Sequence, residues 1–186
     1  MAIIPFPPGG KATALAAESR NALIIRREPT DSVVELDDPL ARVLANWRGL
    51  RGEGKVPPQR RKLIPEDHLQ SVMGFAHIVD CSPDDPMNYL FRLFGSRVSL
   101  FGDEGFTKRR LADLPDAELA GRTATDYFNV VSKGCPAFHK MKVRVGVRTR
   151  SYTRLLLPLT NDQRQTNQLL VCFNPRPLPE LGDLPW

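Results

Sequence analysis

The stretch AFHKMKVRVGV, residues 137–147, alternates between two kinds of side chain over most of its length. Alanine, histidine, methionine and three valines occupy the odd positions, while lysines and an arginine occupy positions 140, 142 and 144. Successive side chains of a strand point to opposite faces of its sheet. The alternation therefore predicts an antiparallel strand with one face buried and the other in water.

The sequence on the C-terminal side predicts two further strands. Residues 149–151 make a turn, and the apolar run from Tyr152 to Leu159 leads back antiparallel to the first strand. The polar stretch LTNDQRQ is typical of a second turn, and Gln168 to Asn174 form the third strand. We therefore expect three consecutive antiparallel strands to close the domain.

Upstream of these strands, the sequence predicts two strands and then a helical segment. Phe75–Cys81 and Tyr89–Phe94 are apolar runs separated by the turn-forming stretch SPDDPMN. Asp116–Ser132 is the longest predicted helix, because apolar residues recur near helical spacing and Gly134 follows it. This order of elements predicts an α+β domain with one antiparallel sheet and helices on one of its faces.

An arginine interrupts the apolar run YLFRLF, residues 89–94. Strict alternation places the odd positions of this run on the helical, pocket-facing side, and the even positions on the outer face. The outer set is Leu90, Arg92 and Phe94. We expect the Arg92 head to form a charge pair, with Asp80 or an acid before the Trp47 helix as its partner, while its stem covers apolar neighbours. A solvated arginine is the alternative.

An additional helix is predicted near residue 40. Asp37-Asp38-Pro39 is typical of a helix start, and the stretch RGLRGEGKVPP ends the helix with glycine and proline. Four apolar residues recur between these points at helical spacing: Leu40, Val43, Leu44 and Trp47. We expect this stripe to cover the outer face of the sheet, in the same chain or across a dimer. Together with Arg92, these four residues are the interface candidates.

The composition divides the chain into three parts. Residues 1–36 mix proline, glycine, alanine and scattered charges, which is typical of a tail that is disordered or ordered only by a partner. A short strand or helix near Ala22–Arg27 also fits the pattern. We assign residues 37–175 to the domain with its N-terminal flanking helix, and residues 176–186 to a proline-rich C-terminal tail.

Several short motifs, taken in order, resemble a PAS domain, and in particular the stand-alone single-PAS proteins common in alphaproteobacteria. The Trp47 helix runs into the loop RGLRGEGKVPPQR and the helix start LIPEDHL. The strand YLFRLFGS, the segment FGDEG and the strand YTRLLLPL follow. The resemblance covers roughly residues 40–175 and implies a five-stranded sheet of order 2-1-5-4-3. Leu90 and the segment FTKRR depart from the family's pattern.

The resemblance implies regulation rather than catalysis. PAS domains sense small ligands, redox state or light, or bind other proteins, and many of them form dimers. A ligand pocket would lie between the inner face of the sheet and the helices, with mostly apolar walls. The candidate pocket residues are Phe91, Phe101, Tyr127, Phe128, His139 and Met141. The alternative for His139 is a core histidine that is hydrogen-bonded to a neighbour.

No motif in the sequence predicts catalysis, a metal site or a required cofactor. Neither GxSxG nor a P-loop occurs, and the histidines lie on different predicted elements. Cys81, Cys135 and Cys172 lack metal-ligand spacing, so we expect reduced thiols in a cytoplasmic protein. Haem ligation by His139 or His77 has no second signal to support it. No run reaches the roughly 18 apolar residues of a membrane span.

We interpret the chain as a cytoplasmic regulatory protein, not an enzyme, that acts by protein–protein contact. The expected partners are a second copy in a homodimer, an unknown signalling protein and a small ligand in the pocket. The alternative is a nucleic-acid-binding regulator that uses basic residues near the C-terminal strands, namely Arg144, Arg148, Arg150, Arg154 and Arg164. No nucleic-acid-binding motif accompanies the net charge of +5, so this alternative ranks second.

Overall fold

The computed structural model describes residues 23–28, 39–53, 58, 67–98, 105–145, 148–161 and 165–174. Most of the predicted N-terminal tail and the whole of the C-terminal tail lie outside these residues, as does the pocket candidate Phe101.

Six strands and two α-helices make up the described fold. In chain order the elements are β1 (Leu23–Glu28), α1 (Pro39–Arg51), β2 (Ala76–Asp80), β3 (Leu90–Leu93), α2 (Ala117–Lys133), β4 (Ala137–Val145), β5 (Arg148–Thr160) and β6 (Thr166–Phe173). Short 3-10 helices lie at Asp67–Val72, Pro86–Asn88 and Leu111–Asp113. The predicted α+β class is confirmed, and the helix start expected at LIPEDHL leads into the 3-10 helix Asp67–Val72.

The sheet is antiparallel and has the strand order β1-β4-β5-β6-β2-β3. The five strands β2 to β6 have the predicted order 2-1-5-4-3, which is therefore confirmed. Leu23–Glu28 adds a sixth strand at the edge, paired with β4. This part of residues 1–36 is thus a strand of the sheet rather than a tail, in agreement with the short strand or helix expected near Ala22–Arg27.

The hairpin between β4 and β5 turns earlier than the sequence predicts. Val145 pairs with Arg148, so only two residues separate the paired strands. The predicted turn at 149–151 is instead part of β5. Two-residue connections suit an antiparallel hairpin because their backbone twist matches that of the strands.

The inner face of the sheet packs against α2 and forms the larger core cluster, which includes Val79, Phe91, Tyr127, Leu156 and Val171. Asp116 caps the helix by accepting a hydrogen bond from the Leu119 amide at 2.9 Å. Gly134 ends it with φ 60°, a left-handed conformation that glycine adopts without steric cost. The predicted boundaries of this helix are thus correct to within a residue.

The outer face of the sheet is covered by α1 of the same chain. Leu40, Val43, Leu44 and Trp47 are at most 3% exposed and belong to a second core cluster with Leu157 and its neighbours. The Trp47 indole donates a hydrogen bond to the Pro158 carbonyl at 2.9 Å. The expectation that this stripe covers the outer face is confirmed, and the covering is intramolecular.

A β-bulge in β3 alters the predicted faces of its last residues. The register shifts between Ile78 and Val79, which pair with Leu93 and Phe91 respectively. The inserted residue, Arg92, moves every later side chain to the opposite face. Phe94 therefore packs on the inner core and Leu93 is 46% exposed, the reverse of strict alternation.

The bulge leaves Arg92 on the surface, paired with the predicted partner Asp80. Its Nε donates to both carboxylate oxygens at 3.0 and 2.7 Å, and its Nη2 lies 2.7 Å from Oδ2. Gln168 also donates to Asp80, at 2.6 Å. The pair therefore joins neighbouring strands of the sheet, and of the two expected partners it is Asp80 that Arg92 contacts.

Arg92→Met will change the free energy of unfolding by less than about 1 kcal/mol, because an ion pair with a half-exposed arginine contributes little. Urea unfolding of the variant and of the parent protein measures the difference. A loss several times larger would mean that Arg92 holds the bulge in place.

Gly95 occupies a position where two backbone segments approach closely. A Cβ at this residue would lie 2.9 Å from both the amide nitrogen and the carbonyl oxygen of Ala76, and would contact the Gly74 carbonyl. Backbone atoms cannot move aside as flexible side chains do. Glycine is therefore required here by the close approach.

Gly95→Ala will lower the free energy of unfolding by about 2 kcal/mol or more, because the added methyl group overpacks two backbone segments. Gly49→Ala is the matched control, since a Cβ at that α1 position meets nothing within 4 Å. It will stabilise the protein by about 0.5 kcal/mol through helix propensity. Equal effects of the two changes in urea unfolding would contradict the close-approach argument.

Candidate functional site: a cavity beside a buried ion pair

A small cavity lies between the inner face of the sheet and α2. Its volume is about 30 Å³, room for about two water molecules. Apolar walls come from Phe91, Phe94, Leu114, Leu119 and Phe173. Polar groups come from His77, Thr123, Tyr127, Tyr152 and Arg154. Apolar walls with a few convergent polar groups are the usual composition of a small-molecule site.

A buried ion pair connects the sheet to α2 at one side of the cavity. The Arg154 guanidinium, 3% exposed, donates through Nη2 to Asp126 Oδ2 at 2.7 Å. Its Nε donates to His139 Nδ1 at 3.3 Å, and that nitrogen lies 3.7 Å from Asp126 Oδ2. Buried charges persist when they are paired and hydrogen-bonded. These three residues thus tie β4 and β5 to the helix.

His77 is a neutral imidazole packed among aromatic rings. Its Nδ1 accepts a hydrogen bond from the Gly95 amide at 3.0 Å. Its ring stacks on Phe94 with a centroid distance of 3.9 Å and meets Phe91 and Phe173 edge to face. Burial disfavours the imidazolium and lowers the pKa of His77 to about 3. Because Nδ1 accepts, Nε2 carries the proton.

The lowered pKa of His77 predicts that the protein loses stability in acid. Its pKa rises from about 3 in the folded state to the ordinary value of 6.5 in the unfolded state, so the unfolded state binds the proton first. Between these two values, each pH unit of acidification costs up to about 1.4 kcal/mol from this group alone. Urea unfolding from pH 7 to 4 measures the slope.

His77→Gln is the matched variant for this test, since its amide oxygen can still accept from the Gly95 amide and it has no proton to gain. The difference in slope between parent and variant isolates the histidine from the carboxylates, which also titrate in acid. Parallel pH curves for the two proteins would show that His77 is not kept neutral by the fold.

Two tyrosine hydroxyls complete the polar lining of the cavity. Tyr127 and Tyr152 are 2% and 3% exposed, and neither hydroxyl has a hydrogen-bonding partner among the described residues. Burial raises the pKa of Tyr127 and of Tyr152, so both remain neutral phenols at physiological pH. Buried polar groups without protein partners are usually satisfied by water or a ligand.

The ion pair separates the cavity from an open groove beside the C-terminal half of α2. Asp126, Asn129 and Lys133 of the helix line this groove, together with Cys135 and His139. Arg154 lines the cavity, whereas its two partners line the groove. A change in the cavity that acts on Arg154 would thus reach residues on the other side.

The structure places the five described pocket candidates in three different environments. Phe91 and Tyr127 line the cavity. His139 and Met141 are buried on the inner face without lining it, and His139 is the hydrogen-bonded core histidine that the alternative reading describes. Phe128 is 42% exposed because it follows Tyr127 on a helix whose inward face Tyr127 occupies, so it lies outside the cavity. Phe101 lies outside the described residues.

Three polar residues of the site do not appear among the predicted pocket residues: His77, Asp126 and Arg154. A signal for Asp126 exists in the sequence, because helical spacing puts it on the same side as Thr123 and Val130. A charged residue at such an inward position needs a partner of opposite charge. Nothing in the sequence identifies Arg154 as that partner, since it lies 28 residues away.

The described residues contain no cluster of histidine, cysteine, aspartate or glutamate side chains that could hold a metal ion. Within the same part of the chain, no helix is both long and apolar enough to cross a membrane. The three cysteines are free thiols, with Cys81 and Cys172 buried and Cys135 exposed.

A comparison with protein families finds a match that covers most of the chain. The family model described as PAS domain matches residues 37–173, which include both α-helices and the five strands β2 to β6. No curated protein and no solved structure matches the chain.

Proposed function

Because the chain belongs to the PAS domain family, whose members have sensory and signalling roles, we propose that it is a regulatory protein acting through protein–protein contacts. In this proposal a small ligand in the inner cavity sets the state that partners recognise. The protein works in the cytoplasm, where reduced thiols such as its three free cysteines are normal. It performs no catalysis of its own.

The observation that carries the proposal is the polar lining of the cavity. A core built only for stability would be filled with apolar side chains, because each buried polar group without a partner costs free energy. Here His77, Tyr127 and Tyr152, each of which carries a polar group, line one small space together with the buried Arg154. Such convergence is the mark of a ligand site.

The ion pair between Arg154 and Asp126 provides a way for a ligand in the cavity to change the protein surface. Arg154 faces the cavity and holds Asp126 of α2 at 2.7 Å. A ligand that accepts a hydrogen bond from the guanidinium would weaken the bond between Arg154 and Asp126. The position of α2 on the sheet would then change. The exposed face of α2, with Phe128 at its centre, is then the surface that a partner reads.

We further propose that the protein is a homodimer, with contacts outside the predicted stripe. Leu40, Val43, Leu44 and Trp47 are buried against their own sheet, so they cannot anchor a second copy without leaving it. The exposed Phe128 is a better anchor, since aromatic residues are enriched at interface hot spots. A second, unidentified signalling protein would receive the output.

Native mass spectrometry after mild purification, combined with light scattering, tests the proposal. We expect the mass of a dimer and an additional small-molecule mass in part of the population. Phe128→Ser, a change at an exposed position, should give monomers of unchanged stability. A monomer at high protein concentration would remove the dimer from the proposal, and an empty cavity in every preparation would leave a pure interaction module.

The described geometry removes one of the five candidate residues for nucleic-acid binding, while the side chains of Arg144, Arg148 and Arg150 are not described. Arg154, one of the five candidate residues, is 3% exposed and bonded to Asp126, so it cannot contact a phosphate backbone. Arg164 lies outside the described residues. Measured DNA binding whose affinity falls steeply as the salt concentration rises would support the nucleic-acid-binding alternative.

A further inference from the structure

We propose that the cavity selects a small ligand that presents hydrogen-bond acceptors, of the carboxylate class, and that Arg154 is its anchor. The inference rests on the proposed function, because it concerns the same cavity. It goes further by excluding cations and purely apolar molecules as ligands.

Arg154 contributes N–H groups that no protein atom uses. A guanidinium has five N–H donors and no acceptor. Nε bonds to His139 and Nη2 bonds to Asp126, while Nη1 has no partner among the described residues. Because both partners lie toward the groove, the guanidinium is the charged group that lines the cavity. An acceptor, and best an anionic one, satisfies it.

His77 contributes a second group that can only donate. Its Nδ1 is occupied by the Gly95 amide, which fixes the proton on Nε2. His77 also forms a hydrogen bond with the Ala76 backbone, and it lines the same cavity as Arg154. The guanidinium is thus the donor in this space that most needs an acceptor, and the His77 ring offers a second N–H beside it.

The tyrosine hydroxyls are compatible with the same ligand. A phenol donates or accepts, so Tyr127 and Tyr152 can adapt to an acceptor placed between them and the guanidinium. An ammonium ion offers no lone pair, so it would leave the Arg154 guanidinium without an acceptor in the cavity. An apolar molecule would leave the two hydroxyls and the free side of the guanidinium without an acceptor or donor.

The size of the cavity limits the ligand to a few non-hydrogen atoms. Its volume is about 30 Å³. Acetate and formate are therefore suitable probes, and a larger carboxylate would require the surrounding side chains to move. Small ligands bind weakly, because the contribution per non-hydrogen atom is bounded at about 1.5 kcal/mol. We expect a Kd no tighter than tens of micromolar.

Titration of the isotope-labelled protein by NMR tests the proposal, with acetate, formate, methylammonium and xenon as separate probes at constant ionic strength. We expect saturable shifts of the Gly95, Tyr127 and Tyr152 amides with acetate or formate, and none with methylammonium. Tyr152→Phe should weaken binding at least threefold. Tyr89→Phe is the matched control, since the Tyr89 hydroxyl is buried and unpartnered within the described residues but does not line the cavity, and it should leave affinity unchanged.

The outcomes separate this inference from the proposed function. Saturable binding of xenon or methylammonium without binding of either carboxylate would overturn the acceptor class and keep the cavity as a ligand site. Absence of binding by every probe would overturn both the acceptor class and the cavity as a ligand site, and would leave a regulatory protein that acts through protein–protein contacts alone. If Tyr152→Phe and Tyr89→Phe weaken ligand binding equally, affinity depends on core packing in general. That result would overturn the assignment of the Tyr152 hydroxyl as a ligand contact.

Discussion

Asp126→Asn will lower the free energy of unfolding by about 3–5 kcal/mol, because it leaves the buried Arg154 charge without its counterion. The two side chains are at most 3% exposed and are joined at 2.7 Å. Asparagine keeps the volume of aspartate, so packing changes little and the loss reports the charge. Chemical unfolding of parent and variant at pH 7 measures the difference.

Glu118→Gln is the matched control for this prediction. Glu118 pairs with Arg122 at 2.6 Å on the same helix, yet both side chains are about half exposed, at 49% and 46%. Its loss will cost less than about 0.5 kcal/mol, as is usual for exposed pairs at this helical spacing.

A double variant, Asp126→Leu with Arg154→Met, gives a second measurement. Replacement of both charges by apolar side chains should recover much of the stability lost in Asp126→Asn. If Asp126→Asn and Glu118→Gln cost the same, the ion pair between α2 and the sheet is not a buried one in solution.

Trp47→Ala will destabilise the protein by about 3–5 kcal/mol, since it opens a cavity in the outer core and leaves a buried carbonyl without its donor. Trp47 is fully buried, and its indole N–H bonds to the Pro158 carbonyl at 2.9 Å. The Arg51 guanidinium also lies 5.3 Å from its ring. Thermal and urea unfolding give the change, and the outer face of the sheet becomes exposed.

Met73→Ala serves as the comparison for this second prediction. Met73 is 66% exposed, so its truncation removes little buried area and should change stability by less than about 0.5 kcal/mol. Light scattering of Trp47→Ala adds a further readout, because an uncovered sheet face is prone to association. A stable, monodisperse Trp47→Ala would mean that α1 does not cover the sheet in solution.

Much of the fold could be predicted from the sequence, because many strands and helix ends are determined by residues close together in the chain. The alternation in residues 137–147 and the caps Asp116 and Gly134 act within a few residues of where they stand. The pairing of Arg92 with Asp80 follows from the approach of consecutive strands. The bulge at Arg92 could not be predicted from the sequence. The stretch around it reads as an ordinary strand, and the extra residue becomes visible only in the register with the partner strand.

The site could be predicted only in part, since it depends on contacts between distant segments. Phe91 and Tyr127 are identifiable as inward residues from periodicity alone. The ion pair brings together residues 28 positions apart, and His77 meets Gly95 across 18 positions. Which polar groups share one cavity is decided by strand order and register, which a sequence pattern does not specify. Arg154 is basic and lies on a strand, so its charge alone equally suggests a surface role.

A high-resolution crystal structure of the protein, purified without added carboxylates and then soaked in formate, tests the central claim most directly. The claim predicts density in the cavity within hydrogen-bond distance of Arg154 Nη1, with His77 and the tyrosine hydroxyls directed to it. An empty cavity after the soak, with the Tyr127 and Tyr152 hydroxyls bonded to other protein atoms, would contradict it.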